Sequence, residues 1–411
     1  MAYGDCKDDK ALLTEWEKFC DRLKEAGKLV FKESNPPTPL HRADGFRFLT
    51  QNLGQAFEFA LETKDTQYPA FVKFCSPMRK LASDNADCVY YSAWIDGNSV
   101  YRISGKKGTA RLWNIGVQGE RSLGAYGPGS TKILHEPFGD PPEAAIHGHE
   151  LVTDWDGTFE LYIGGERQGQ NWLPTTKGSR RLFLRQYFDR WDEEPAEYRI
   201  ERVGMTTPRP MPQPGQVIEA MQWASTFVHD VVEFWPEWNW DAEWAASPKK
   251  LNQFNFPKNV GDEETDKKIG RFGGQMWWNF KPDEAMIVEF GEPDAFWMLD
   301  AEGVFCNSLD FLYRNVSYTP SRTPIDPDGK VRFVFGSQDP GYSNWIDNQG
   351  FEAGLLTYRS VSGNFPKFVG TVVKAADVAG HMHPGSPKVT SQEREEQLRQ
   401  RFHAIQNRYK I

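Results

Sequence analysis

The stretch DGTFELYIGGERQGQNWLPTTKGSRRLFLRQY, at residues 156–187, decides the fold because the chain carries its pattern twice. The second copy, DGKVRFVFGSQDPGYSNWIDNQGFEAGLLTYR, lies at residues 328–359. Each copy opens on Asp-Gly, a dipeptide typical of tight turns, and continues into an alternating run that predicts a β-strand. Each copy also ends in an apolar run that predicts another strand. The repeated pattern predicts two related β units.

Further landmarks fall at matching positions in the two copies. An Asn-Trp pair lies at 171–172 and again at 344–345, and each terminal strand holds one arginine, Arg185 or Arg359. The opening Asp and the Asn are separated by 15 and 16 residues, and the Asn and the Arg by 14 and 15. This agreement indicates an internal duplication, and the surface that two such units share is the natural place for a site.

The rest of the chain favours a mainly β fold with helical additions. Short alternating runs separated by Gly, Asp-Gly and Pro fill residues 67–204 and are typical of antiparallel β-structure. We therefore expect two related, antiparallel β-sandwich-like units. The expected divisions are an N-terminal helical region (1–66), a first β unit (67–205), a Pro-rich linker with a helix (206–250), a second β unit (251–375) and a tail with a C-terminal helix (376–411).

Several segments have helical spacing. Residues 8–33 place a stripe of apolar side chains, including Leu13 and Trp16, on one face of a helix. Further helices are expected at residues 43–63, from 217 to about 235, and at 390–408. Pro236 should end the third of these helices. The C-terminal helix has only a narrow apolar line, so we expect it to lie on the body of the protein or on a neighbouring subunit.

The two copies also resemble a known family. GQNWLP with LFLRQYF in the first copy, and DPGYSNWIDNQGFEAGLLTYR in the second, resemble bacterial proteins of domain-of-unknown-function family 1214. The resemblance extends from residue 35 to residue 360 and includes DNADCVYYSAWIDGNSVYRISGKKGTA at 84–110. It implies stacked antiparallel β units with helical additions and little about chemistry. Relatives often have a histidine after the last Asn-Trp block, where this chain has Gln349-Gly350-Phe351.

The composition of the chain limits the kinds of binding partner and the cellular compartment that we expect. A net charge of −9 with mixed signs argues against nucleic acid as the main partner and suits a small-molecule ligand. No apolar run has the length of a membrane helix, and the polar start lacks the order of a signal peptide. Five widely spaced cysteines are not a disulfide framework, so we expect a cytoplasmic protein. The GxGxxG, GxxxxGK[ST] and GxSxG motifs are missing, so we expect no cofactor.

The arginines are the first candidates for chemistry. Arg185 lies in an otherwise apolar strand, with Tyr187 on the same face, and must be paired or face a polar cavity. One interpretation is a structural ion pair with Asp189 or Asp192. The other is a clamp for a substrate anion or oxyanion, with Tyr187 as donor or acid. Arg359 allows the same two interpretations.

Other residues could carry acid–base chemistry. His147 and His149 have a metal-ligand spacing, but the Glu and the second His motif of a cupin site do not follow at the required distances. They could be loop histidines, general bases or metal ligands, and we expect no metal site. Alternation places Tyr90 with Trp94 on the wetter face of its strand, where the Tyr90 hydroxyl could donate a proton or simply pack.

Aromatic residues are abundant, with 15 Trp and 28 Phe, and tryptophans bunch at positions 235, 238, 240 and 244 and at 277–278. They could form a core between sheets or line a pocket for a ring-shaped ligand. The tryptophans of the Asn-Trp pairs could equally plug the edge of a sandwich. In the pocket interpretation, the candidate substrate-binding residues are Trp94, Trp172, Trp235, Trp278 and Arg359.

These observations favour a cofactor-independent acid–base enzyme of the lyase or hydrolase type, acting on a hydrophobic or aromatic small molecule. Its candidate catalytic residues are Arg185, Tyr187, His147, His149 and Tyr90. The alternative is a non-catalytic protein that binds a carbohydrate or another small ligand on an aromatic surface. A homo-oligomer could form through the C-terminal helix.

Overall fold

The computed structural model describes residues 6–119, 140–241, 251–254, 271–361 and 366–411, without the side chains of residues 237–241 and 271–272. The α-helices in this part of the chain are α1 (Asp9–Leu29), α2 (Pro39–Phe57), α3 (Pro214–Asp241), α4 (Val378–His381) and α5 (Ser391–Tyr409). A π-helical turn (Glu58–Glu62) follows α2, and 3-10 turns lie at Pro320–Arg322 and Ala375–Asp377.

The β-strands form two consecutive series. The first series is β1 (Val72–Cys75), β2 (Cys88–Trp94), β3 (Tyr101–Lys106), β4 (Leu112–Gln118), β5 (Pro142–His147), β6 (Thr158–Ile163), β7 (Trp172–Leu173), β8 (Arg181–Tyr187) and β9 (Glu197–Arg202). The second is β10 (Arg271–Asn279), β11 (Glu284–Gly291), β12 (Phe296–Gly303), β13 (Asn307–Ser308), β14 (Ser317–Tyr318), β15 (Lys330–Phe335), β16 (Trp345–Ile346), β17 (Ala353–Val361) and β18 (Val369–Lys374).

Each series builds two sheets with the same topology. In the first unit, sheet 1 has the order β1-β2-β8-β4-β5 and sheet 2 the order β7-β6-β3-β9. In the second unit, sheet 3 has the order β10-β17-β12-β13, with β14 also on β12, and sheet 4 the order β16-β15-β11-β18. The central strand β8 lies between β2 and β4, as β17 lies between β10 and β12. The mainly β fold with an internal duplication is therefore confirmed.

The Asn-Trp pairs occupy equivalent positions in the two units. Each tryptophan begins a two-residue strand that runs parallel to the first strand of its repeat, β7 beside β6 and β16 beside β15. The Trp172 indole N–H donates to the carbonyl of Gly164 at 3.1 Å, and the Trp345 indole N–H donates to the carbonyl of Gly336 at 2.9 Å. Both glycines follow the opening Asp of their repeat by eight residues. The two copies therefore make matching hydrogen bonds, as their predicted equivalence requires.

The asparagines and the opening turns match as well. The Asn171 side chain donates to the carbonyl of Val152, and the Asn344 side chain donates to that of Pro324, both at 2.8 Å. Gly157 and Gly329 have φ values of +84° and +77°, which glycine adopts without the steric cost of a Cβ. The Asp-Gly pairs therefore make the turns that open each repeat.

The described residues form four apolar cores, and three of them hold these layers together. One lies between sheets 1 and 2 and contains Ile103, Ile115 and Leu184. A second lies between sheets 3 and 4 and contains Trp278 and Phe333. The largest lies where α1, α2 and α3 cover the outer faces of sheets 1 and 3. The two units therefore share one helix-covered layer, and charged side chains lie within it.

Two expectations about the helices were wrong. The side chains of Leu13 and Trp16 are 59% and 52% exposed, because α1 turns Glu15 inward to hydrogen-bond Arg22 and Gln222. Pro236 does not end α3, which continues to residue 241. A proline removes only one N–H from the hydrogen-bond ladder, and α3 packs deeply enough on the shared layer to tolerate that loss.

The C-terminal helix α5 packs on the body of its own chain. Thr390 and Glu393 form a reciprocal capping box at its start. Arg401, Ile405 and Arg408 are buried, so the helix supplies cations as well as apolar contacts to the interior. The contact of this helix with a neighbouring subunit stays a prediction.

The five cysteines, at positions 6, 20, 75, 88 and 306, are all free thiols. Within the described residues, no helix combines the length and the apolar composition that crossing a membrane requires.

Candidate functional site

The two repeat arginines lie at corresponding positions of the two central strands. Arg185 of β8 is paired in register with Tyr90 of β2 and Asn114 of β4. Arg359 of β17 is paired with residue 273 of β10 and Met298 of β12. Paired residues in antiparallel strands point to the same face of a sheet. Both arginines therefore belong to the layer that the two units share beneath the helices.

Charged and polar side chains gather around Arg359. Its Nη1 donates to Oδ1 of Asp300 at 2.6 Å, and its Nη2 donates to Oε1 of Glu302 at 3.2 Å. Nη2 also donates to the Ser83 carbonyl at 2.6 Å, and the Ser83 hydroxyl donates to Oε1 of Glu302 at 2.8 Å. We call Ser83, Tyr90, Asp300, Glu302 and Arg359 the inter-unit cluster.

Asp300 and Glu302 are a carboxyl pair that shares one guanidinium. Both side chains are completely buried, whereas that of Arg359 is 21% exposed. Oδ2 of Asp300 and Oε2 of Glu302 are buried and accept no hydrogen bond from the described residues. Two carboxylates and one cation leave an excess negative charge in a site of low dielectric. Keeping one proton on the pair removes that charge at the smallest cost in free energy.

Burial and this excess of negative charge together set the direction in which the pKa values of Asp300 and Glu302 shift. Burial raises the pKa of Asp300 well above its ordinary value, Arg359 opposes the rise, and the charge of Glu302 adds to it. Burial likewise raises the pKa of Glu302, against the effects of Arg359 and Ser83. A carboxylic acid that keeps its proton at neutral pH can donate that proton to a bound molecule.

The turn that carries Ser83 is strained. Ala82 and Ser83 have φ values of +55° and +59°, a left-handed conformation that is uncommon for residues other than glycine. The Ser83 N–H donates at 2.7 Å to the carbonyl of Cys306, which itself has a φ of +52°. Strained backbone is retained where its surroundings fix it, often at functional sites. This backbone conformation directs the Ser83 hydroxyl to Glu302 and the Ser83 carbonyl to Arg359.

Tyr90 brings a phenol from the first unit to the cluster. The Asn85 N–H donates to the Tyr90 hydroxyl at 3.2 Å, and the Tyr90 hydroxyl also lies within hydrogen-bonding reach of the Cys88 thiol. Burial raises the pKa of Tyr90 well above its ordinary value, and the charge of Arg359 opposes the rise. The hydroxyl therefore stays protonated and can act as a hydrogen-bond donor.

Arg185 lies on the Tyr90 side of the shared layer. Its guanidinium lies over the ring of Phe183, with 4.0 Å between the guanidinium carbon and the ring centroid. Burial raises the pKa of the neighbouring Cys88 to about 12, and the charges of Arg185 and Arg359 both oppose the rise. The two repeat arginines therefore act on one region, as the duplication predicts.

Two more predicted residues belong to this layer. Tyr187 and Trp235 are nearly buried, with 7% and 9% of their surface exposed, and both lie in the same apolar core as Tyr90 and Phe183. The rings of Tyr90 and Phe183 are in contact, with 6.1 Å between their centroids, and we call Tyr90, Phe183, Tyr187 and Trp235 the aromatic wall.

Three predicted tryptophans have structural positions instead. Trp278 is completely buried in the core between sheets 3 and 4, on the opposite face of its sheet from Arg359. The Trp94 indole donates to the carbonyl of Phe59, and Lys64 covers the Trp94 ring at 4.4 Å. Trp172 closes the edge of its repeat. Trp94, Trp172 and Trp278 therefore lie outside the inter-unit cluster, and a substrate-binding role for them stays a prediction.

The histidines lie at the far edge of sheet 1. His147 of β5 is paired with Asn114, two strands from Arg185, or about 10 Å away at the usual strand spacing. His149 lies in the following turn and is exposed, with its ring 5.9 Å from that of His147. Among the described residues, one group of three or more His, Cys, Asp and Glu side chains could hold a metal ion, His229 with Asp230 and Glu233 on α3. Neither His147 nor His149 belongs to it.

Sequence reasoning missed Ser83, Asp300 and Glu302. The carboxylates stand at alternate positions in the strand FWMLDAEG at residues 296–303, where every other side chain is apolar or absent. Two acidic side chains on one face of a buried strand are the signal that could have been used. Ser83 carried no comparable signal, because its role depends on backbone conformation and on a partner 219 residues away.

Comparisons with known proteins agree with the fold. The chain is similar to the crystal structure of a putative uncharacterized protein from Burkholderia cenocepacia, with 26% identity over 89% of this chain and 99% of that one and a TM-score of 0.77. A protein from Vibrio parahaemolyticus aligns at 11% identity over 87% of this chain and 100% of that one, with a TM-score of 0.42. No curated protein matches the chain.

One family model matches the part of the chain that contains the central strands of the first unit. A family model described as Protein of unknown function (DUF1214) matches residues 90–189, which run from Tyr90 in β2 past the end of β8. The resemblance noted in the sequence is confirmed over residues 90–189, the part of the chain that the DUF1214 family model matches.

Proposed function

We propose that this protein is a cofactor-independent acid–base enzyme, of the lyase or hydrolase type, that acts on a hydrophobic or aromatic small molecule at the inter-unit cluster. The observation that carries the proposal is the carboxyl pair Asp300–Glu302, completely buried against the single guanidinium of Arg359. Perturbed carboxyls of this kind recur at catalytic sites, where one donates a proton and the other stabilises charge.

The roles follow from the hydrogen bonds. Arg359 makes its shorter bond with Asp300, whereas burial raises the pKa of Asp300 well above its ordinary value, so the proton is assigned to the pair rather than to one carboxyl. Glu302 receives the Ser83 hydroxyl on one oxygen and keeps the other without a partner. Glu302 is therefore the candidate proton donor, with Tyr90 as a second donor and Arg359 holding the pair together.

The aromatic wall and Arg185 suggest the kind of substrate. Tyr90, Phe183, Tyr187 and Trp235 offer rings against which an apolar or aromatic group can pack. Arg185, half-buried over Phe183, offers a cation for a carboxylate or for negative charge that develops during the reaction. His147, at the edge of the same row, stays a candidate base rather than a residue of the cluster.

Replacing Glu302 by glutamine tests the proposed proton donor. Glu302→Gln leaves Asp300 and Arg359 as a balanced ion pair, so we expect a melting temperature no lower than that of the wild type. It removes the acid, so turnover should fall about 10²- to 10⁴-fold, the range for loss of general acid–base catalysis. Mass spectrometry on a panel of aromatic esters, hydroxy acids and phenols would identify a turnover to measure.

Glu201→Gln is the matched control, because Glu201 lies on exposed strand β9 and pairs with Arg102. It should change neither turnover nor melting temperature. Full turnover in Glu302→Gln would remove Glu302 from the chemistry.

Replacing Arg185 by methionine tests the proposed clamp. If Arg185 clamps the substrate, Arg185→Met should leave the melting temperature close to that of the wild type and lower turnover about 10²-fold or more. Arg199→Met, on exposed strand β9, is the control. A loss of about 3–5 kcal/mol in unfolding free energy would instead make Arg185 part of a buried ion pair.

The alternative, a carbohydrate-binding protein, would need an open platform of coplanar tryptophans. Among the described tryptophans, Trp16 and Trp155 are the largely exposed ones, and they lie on separate elements. This arrangement favours the enzyme. We also propose a cytoplasmic protein, because its cysteines are free. The sequence lacks the nucleotide-binding motifs and has a net charge of −9, so we propose neither a nucleotide nor a nucleic-acid partner.

A further inference from the structure

A second site candidate lies between α5 and the loops that follow β8 and β13. Here a groove of about 790 Å³ opens to solvent, within the size range of small-molecule sites. Trp191, Arg322 and Arg401 line its inner end, with Asn315, Ser317 and Ser321. We call it the arginine–tryptophan groove.

Three guanidiniums surround the Trp191 indole. The guanidinium carbons of Arg322, Arg401 and Arg408 lie 3.9, 4.8 and 5.1 Å from the centre of the Trp191 ring. Cation–π contact stabilises this arrangement, but the three like charges also repel one another. A neighbouring negative charge is therefore needed to offset the repulsion among these three guanidiniums.

One carboxylate supplies part of that charge. Asp87 forms an ion pair with Arg322 at 2.6 Å and a longer one with Arg408 at 3.3 Å. Arg401 forms no ion pair within the described part of the chain. It donates instead to the Asn315 side chain at 2.9 Å and to the Ser317 carbonyl at 2.8 Å.

The other carboxylates near the groove have partners of their own. Asp192 and Glu396 line the groove and form ion pairs with Arg190 and Arg399. Asp189 accepts hydrogen bonds from the Ser321 N–H and hydroxyl, and Glu193 accepts from the N–H groups of residues 189 and 190. In the described residues, neither carboxylate lies within ion-pair distance of the three guanidiniums. Burial first, and the charge of Arg322 second, lower the pKa of Arg401 to about 9. These observations describe a buried cationic group whose charge is incompletely compensated.

We propose that the arginine–tryptophan groove binds an oxyanion, the phosphate or carboxylate group of a small organic molecule. An oxyanion at the inner end would lie beside Arg322 and Arg401, whose planar guanidiniums suit such groups. The hydroxyl of Ser317 and the side chain of Asn315 lie beside them, and the organic part would extend along α5 towards solvent. This groove contains no residue of the inter-unit cluster.

Calorimetric titration of the full chain with inorganic phosphate and with benzoate, at constant ionic strength set by chloride, tests the proposal. We expect saturable binding of at least one probe in the millimolar range or tighter. Binding of phosphate alone indicates a phosphate ester as ligand, and binding of benzoate alone indicates a carboxylate. Absence of saturable binding by both probes would overturn the proposal.

Arg401→Lys keeps the charge but removes the planar fork, so it should weaken binding about 10-fold or more. The control Arg102→Lys, on exposed strand β3, should leave the affinity unchanged. Equal affinity in both variants would also contradict the site. If Arg401→Lys does not fold, hydrogen exchange on the wild-type protein decides. Phosphate or benzoate should slow exchange in residues 189–192 and in α5, and unchanged exchange would count against the groove.

Discussion

Replacing Asp87 by asparagine is expected to lower the free energy of unfolding by about 3–5 kcal/mol, the cost of leaving buried charges without their partner. Asp87 is completely buried and is the carboxylate that pairs with both Arg322 and Arg408. These three residues come from the first unit, the second unit and α5, so the substitution should loosen all three together. Chemical denaturation followed by circular dichroism would measure the loss.

The pH dependence gives a second test of the same ion pairs. Burial alone would raise the pKa of Asp87, but Arg322 and Arg408 outweigh it and hold the pKa below its ordinary value. The stabilisation should therefore be present above the pKa of the unfolded chain, about 4, and disappear as pH falls through the folded value. Asp21→Asn, on the exposed face of α1, should cost less than about 0.5 kcal/mol. A similarly small effect for Asp87→Asn would contradict the arrangement.

Replacing Arg359 by methionine should also cost about 3–5 kcal/mol at neutral pH, because it leaves Asp300 and Glu302 buried without a cation. Both carboxyls have a raised pKa in the folded protein, so the folded state binds more protons than the unfolded chain. Stability from this source is complete below the unfolded pKa, about 4, and is lost as pH rises towards the folded values. The variant should therefore recover stability as pH is lowered.

A rescue variant separates this cause from simple loss of packing. Arg359→Met combined with Asp300→Asn and Glu302→Gln removes the buried charge altogether and should regain most of the lost stability. No gain from the two added substitutions would show that Arg359 acts through packing rather than through its charge.

Much of the fold could be predicted from local patterns. The Asp-Gly turns, the alternating strands and the Asn-Trp pairs each have a local physical cause, so their repetition in sequence predicts repeated structure. The failures arose where tertiary contacts overrode a local rule. The apolar residues Leu13 and Trp16 are exposed because Glu15 turns inward to partners on α3, and α3 continues past Pro236 because packing offsets one lost hydrogen bond.

The site could be predicted only in part, for a related reason. Repetition placed Arg185 and Arg359 at matching positions, and alternation placed Tyr187 on the face of Arg185. Tyr90 and Trp94 were expected on the wetter face of their strand, but both are buried. The partners of Arg359 could not be assigned, since Ser83 and Asp300 reach it from other parts of the chain. Trp278 shows the converse problem, because composition alone cannot decide whether an aromatic side chain faces a core or a pocket.

The central claim is that the carboxyl pair holds a proton at neutral pH, and infrared spectroscopy tests it without a substrate. We predict that the wild-type protein shows the carbonyl band of a protonated carboxylic acid that is missing from Glu302→Gln, where Asp300 and Arg359 are balanced. Glu201→Gln should keep the band. Identical spectra for the wild type and Glu302→Gln at neutral pH would mean that both carboxyls are ionised, and would contradict an acid–base role for the pair.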